Sequence, residues 1–163
     1  MRTNYLLFVA VTLFALSSEA TYAQVRVDSN VDLVAQYIED ETPQQYNSAW
    51  WNALGRQLTL GVAVPVEEVG SAQLQNIIYF TTHFRKQVRL DDATPYLVDV
   101  FTQHPAEEIR IMAAAALHAI RTEAAMRSLH QALAKEPSER VLKIARAAVV
   151  DYYRAMPSLA VQR

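Results

Sequence analysis

Apolar residues recur with the period of a helix through the second half of the chain. At 100° per residue Ile109, Met112, Ala113, Ala116, Leu117 and Ile120 share one face, while Glu107, Arg110, Ile111, Ala114 and His118 fall outside it. A second stripe follows at Ala125, Met126, Leu129, Ala132 and Leu133, with Arg127, His130 and Gln131 pointing away. The same spacing returns further on. Pro105 aligns with Pro137, Glu107 with Glu139, Ile109 with Val141, Met112 with Ile144 and Ala113 with Ala145, all at an offset of 32 (137 minus 105). Leu97 and Phe101 align with Leu129 and Leu133 at that offset, and a weaker copy lies upstream at Gln73 to Phe84. A fixed period of this size predicts stacked helix pairs.

Local signals set the expected boundaries. Proline at the head of each copy suits a first helical turn, where no N–H is needed. Glu107, Glu108 and Glu139 place negative charge near those helix starts. Further upstream the pattern predicts a short helix from Val31 to Ile38 with Asn30 as its cap. A longer helix opens at Thr42 and Pro43 and ends at Gly61, with Tyr46, Trp50, Trp51, Ala53, Leu54 and Leu58 inward. One turn is expected between Val66 and Gly70. Ser71 caps the next helix, and Asp91 or Asp92 caps the helix ending at Gln103.

The run Glu108-Ile109-Arg110 followed by four alanines resembles the Val-Arg-x-x-Ala-Ala signature of the short HEAT-like repeats known from bilin-lyase-type bacterial proteins. The resemblance covers residues 71–155. It implies an all-α, right-handed solenoid of helix pairs, about seven helices in all. Two departures interrupt the family's Asp–Arg ladder: Leu142 stands where arginine is usual, and the acidic residue at the helix head is His104 in one copy and Glu136 in the next. In the resembled fold the second helix of each pair lines the concave side. That makes Tyr96, Asp99, Gln103, Arg127, Gln131 and Lys135 the candidate partner-binding stripe.

The remaining organisation is simple. Residues 1–23 read as a signal peptide: Arg2, a 12-residue apolar stretch from Tyr5 to Leu16, then small residues Thr21 and Ala23 at the cleavage positions. Residues 24–70 form an N-terminal helical segment, 71–156 the repeats and 157–163 a tail. The expected location is periplasmic or secreted, with contact to the membrane only through the signal. There is no cysteine, so no disulfide supports the fold and no cysteine nucleophile exists.

Composition also limits the chemistry. With 15 Lys and Arg against 17 Asp and Glu the net charge is −2, which does not suit nucleic acid. The glycines are Gly55, Gly61 and Gly70 alone, so no Gly-rich phosphate loop exists. His118 and His130, on outward faces, are the nearest thing to a metal pair and read as solvated histidines. Arg140, Lys143, Arg146 and Arg154 give the last helix a basic face, and Tyr79 and Ile111 share an outer register. No cofactor and no catalytic set is expected.

The favoured reading is a non-catalytic protein-binding or scaffold module. The alternatives are a small-ligand or chromophore-binding accessory of the bilin-lyase-like kind, or a hydrolase with a dispersed site. After Met156 and Pro157 too few residues remain for another helix. The apolar edge of the last helix at Leu142, Val149 and Tyr153 is therefore expected to stay partly open for a partner or a second copy.

Overall fold

A computed structural model describes residues 32–40 and 46–156. The signal peptide, the Asn30 cap, Thr42, Pro43 and the tail at 157–163 lie outside the described residues. Within them the chain is all-α, with seven helices and no strand: α1 Leu33–Glu39, α2 Ser48–Val62, α3 Ser71–His83, α4 Thr94–Gln103, α5 Glu107–Ile120, α6 Glu123–Ala132 and α7 Glu139–Ala155. Short 3-10 turns occupy Val66–Glu68, Asp91–Ala93 and Leu133–Lys135. No described helix is long and apolar enough to cross a membrane.

Most helix starts carry the polar cap that leaves fewest orphan N–H groups. Asp32 Oδ1 accepts from Val34 and Ala35, Asn47 Oδ1 from Trp50, Thr122 Oγ1 from Ala125 and Ser138 Oγ from Val141. Several expected boundaries shift. The second helix begins at Ser48 because Asn47 provides its cap. It also passes through Gly61 to Val62, since Gly61 has ordinary helical backbone. The cap of α3 is Gly70, whose N–H donates to Gln73 Oε1 at 3.1 Å. Asp91 and Asp92 cap nothing and instead sit in the 3-10 turn that leads into α4. Pro105 and Pro137 each stand two residues before their helices, directly ahead of the cap residues Ala106 and Ser138.

Helices at equivalent repeat positions lie against one another. α3 packs on α5 and α5 on α7, while α4 packs on α6; α5 contacts both α4 and α6. The seam between them is filled by Leu97, Phe101, Leu117, Met126 and Leu129, all fully buried. Ala113, Ala114 and Ala116 are also buried, and their small side chains let α5 sit closely between its neighbours. Ala114 thus belongs to the core despite its position outside the helical arc. Upstream, Leu54, Leu74, Ile77 and Phe80 extend the same contiguous core. Each such large side chain contributes about 1.5–3 kcal/mol by leaving water.

Arg110 departs most from its expected outward position. It is buried, and its guanidinium meets the Glu136 carboxylate in two parallel bonds, Nε to Oε2 at 2.9 Å and Nη2 to Oε1 at 3.0 Å. Nη1 donates to the carbonyls of His104, at 2.8 Å, and Pro105, at 3.1 Å. The hydrogen bonds to Glu136 raise the Arg110 pKa above its usual value, although burial opposes the charge. Glu136 also accepts from the Ser138 N–H at 2.8 Å. His104, its mate 32 positions earlier, makes the same turn with its ring: Ala106 N–H donates to Nδ1 at 3.1 Å. One arginine therefore ties two successive helix junctions together.

Candidate functional site

The candidate stripe read from the sequence lies on α4, α6 and the turn after α6. Tyr96, Asp99 and Gln103 are exposed on α4; Arg127 and Gln131 are exposed on α6, and Lys135 follows them. Because α4 packs on α6, the repeat-mates Asp99 and Gln131, and Gln103 and Lys135, stand on adjacent elements. Three of these six side chains make exposed contacts of their own. Gln103 Nε2 donates to Asp99 Oδ1 at 3.3 Å, and Arg127 pairs with Glu123 one turn away. Exposed pairs of this kind contribute little to stability. The face exposes Arg127, Lys135, Asp99 and the amides of Gln103 and Gln131.

The expected open edge of α7 is different in detail. Leu142 and Val149 are buried, each at 7% exposure, because α7 lies against both α5 and α6. Only Tyr153 of the three is open, at 46%. The large apolar residues left exposed on and after α7 are Ile144, Val150, Tyr153 and Met156. They alternate with Arg140, Lys143, Arg146 and Arg154, which are also exposed. His118 reaches this surface from α5 and bonds Asp151 through Nε2 at 2.9 Å, with Arg121 Nη1 at 3.7 Å from the same oxygen. His118 is thus the partner of a carboxylate on α7, and among the described residues no group of three His, Asp or Glu is placed to hold a metal.

A second region emerges where α1, α2 and α3 meet. Trp50 and Trp51 are core residues, as their place on the inward arc of α2 predicts. Around them the rings are densely coupled: Tyr46 stacks on Trp50 at 3.7 Å, Trp51 on Phe84 at 5.0 Å, and the two indoles meet edge-on at 4.9 Å. Tyr37 of α1 inserts among them, 5.0 Å from Phe80 and 5.5 Å from Phe84. Tyr79 joins through a hydroxyl contact of 3.3 Å with Tyr37, so its exposed ring is tied into this cluster. Burial, followed by the contact with Tyr79, pushes the Tyr37 hydroxyl up to about 12. Burial and then the bond to Asp40 do the same for Tyr46. Both phenols are neutral at ordinary pH.

Beside these rings a cleft of about 660 Å³ opens between α2 and the chain from Phe84 to Arg89. A neighbouring cavity of about 440 Å³ continues it along α2 and shares Asn52 and Arg89. This cleft has no counterpart in the repeat pattern, because it joins residues far apart in sequence. One local signal pointed toward it: Gly55 in the middle of a helix marks a close approach of backbone. A Cβ there would lie 3.0 Å from the Arg89 carbonyl oxygen.

No protein-family model, curated protein or solved structure matches the chain.

Proposed function

We propose that the chain is a non-catalytic binding or scaffold module of the bacterial envelope or secreted fraction, built as a right-handed solenoid of HEAT-like helix pairs. The observation that carries this reading is the exposed mixed-charge face of α4 and α6, where repeat-mates stand on neighbouring helices. The row of α3, α5 and α7 beside the row of α4 and α6 supports the solenoid. Such arrays bind through an extended face, not a single deep site, and long polar side chains on adjacent helices provide that kind of surface. The exposed apolar residues of α7 are a second contact region, open to a partner or another copy of the chain.

The experiment is affinity purification of the full chain from the envelope fraction of its own source, in parallel with the variant Arg127→Glu/Lys135→Glu. A protein partner retained by the natural chain and lost by the variant is expected. Recovery of the same proteins by both, or of none by either, overturns the reading.

A further inference from the structure

We infer that the cleft between α2 and the 84–89 segment is a binding site for a small anion with a flat apolar body, of the aromatic carboxylate class. Its volume, about 660 Å³, falls within the range of small-molecule sites. Tyr37, Trp51 and Phe84 give it apolar walls, and Lys86 and Arg89 stand on one rim. Among the described residues no carboxylate lines it, and Asp40 is bonded to the Tyr46 hydroxyl. Arg89 lies 3.8 Å from Asp91, shares the neighbouring cavity with Asp92, and keeps its side chain 86% exposed. An incoming carboxylate meets the two cations, Lys86 and Arg89, on this rim. The Asn52 and Gln87 side chains add amide groups for hydrogen bonds.

The site is held in shape before any ligand arrives. Gln87 and Val88 N–H both bond the Phe84 carbonyl at 2.9 Å, and Val88 and Leu90 are buried. The Arg89 carbonyl rests against Gly55 of α2, which fixes the height of the rim above the helix. Preorganisation of this kind reduces the cost of binding.

This inference is independent of the protein-binding face on α4 and α6. It is tested by calorimetric titration of the full chain with 2-naphthoate, 2-naphthamide and cyclohexanecarboxylate. Saturable binding of 2-naphthoate is expected, with both comparison compounds weaker by about tenfold or more, the loss of one favourable contact. The variant Lys86→Glu/Arg89→Glu alters exposed side chains only; it is expected to keep its melting temperature and lose binding by at least about tenfold. The variant Arg127→Glu/Lys135→Glu is expected to bind 2-naphthoate as the natural chain does. Equal binding of the acid and its amide overturns the inference. Undiminished binding by the charge-reversed variant, or the absence of any saturable heat, does so as well.

Discussion

Arg110 and Glu136 are 26 residues apart in sequence and form a buried, two-pronged ion pair, with their side chains 9% and 1% exposed. Neither charge is left with idle bonding capacity on its inner side. Arg110 also satisfies two carbonyls before α5, and Glu136 satisfies the N–H of the α7 cap. Removing one member strands the other in a low-dielectric interior, so Glu136→Ala should cost about 3–5 kcal/mol. The double variant Arg110→Ile/Glu136→His installs the residues found 32 positions earlier, Ile78 and His104. It should lose less than the sum of its singles, by at least about 1 kcal/mol in a denaturant double-mutant cycle. Strict additivity would show that the pair is not coupled.

Two glycines in α2 should respond in opposite directions. A Cβ on Gly61 would meet only Gln73 Cγ at 3.8 Å, an ordinary contact. Gly61→Ala should therefore stabilise by about 0.5–1 kcal/mol through reduced backbone entropy. Gly55→Ala presses on the Arg89 carbonyl at 3.0 Å and should destabilise by about 1–3 kcal/mol, as overpacking does. Urea unfolding of both variants checks the difference in sign.

Alkali should weaken the fold through its phenols. The Tyr37 and Tyr46 pKa values are raised to about 12 from an ordinary 10, so the folded chain holds its phenolic protons more tightly than the unfolded one. Their contribution is complete below pH 10 and disappears as pH rises through about 12. Chemical denaturation across this window should show a steeper loss for the natural chain than for Tyr37→Phe/Tyr46→Phe. Parallel curves would refute the assignment.

Arg121 ends α5 with φ at 58°, the one non-glycine residue with positive φ among those described. The left-handed conformation costs a side-chain-bearing residue roughly 1–2 kcal/mol, and a β-branched one more. Arg121→Val should therefore melt well below Arg121→Gly, by at least about 1 kcal/mol. Both variants lose the exposed contact with Asp151, so that contribution cancels in the comparison.

The parts of the fold legible in the sequence are those governed by local periodicity. The offset of 32 identified α5, α6 and α7, because each helix presents one apolar arc to a neighbour of the same kind. The wheel misplaced Arg110 and Ala114, since it treats a helix as having one buried side, whereas α5 is enclosed by α3, α4, α6 and α7. It left Leu142 and Val149 open for the related reason that the contribution of α6 to the α7 surface is invisible in a single helix. The exposure of the positions from Tyr96 to Lys135 named as a stripe was legible because exposed polar positions repeat as regularly as buried ones. The cleft beside Trp51 was not, because Lys86 and Arg89 belong to an irregular segment whose placement depends on packing against α2.

Helix α1 has seven residues, too few to be stable alone in water. It owes its form to Tyr37, to the bond between Gln36 Oε1 and Trp50 Nε1 at 3.0 Å, and to the Leu33 N–H on Gln57 Oε1 at 2.9 Å. Both tryptophans lie next to this attachment, while nearly all the helical peptide lies elsewhere. On gradual heating, indole emission should consequently shift to the red ahead of the fall in far-ultraviolet ellipticity. The two optical signals then report departure of the amino-terminal clasp and collapse of the main body as separate events.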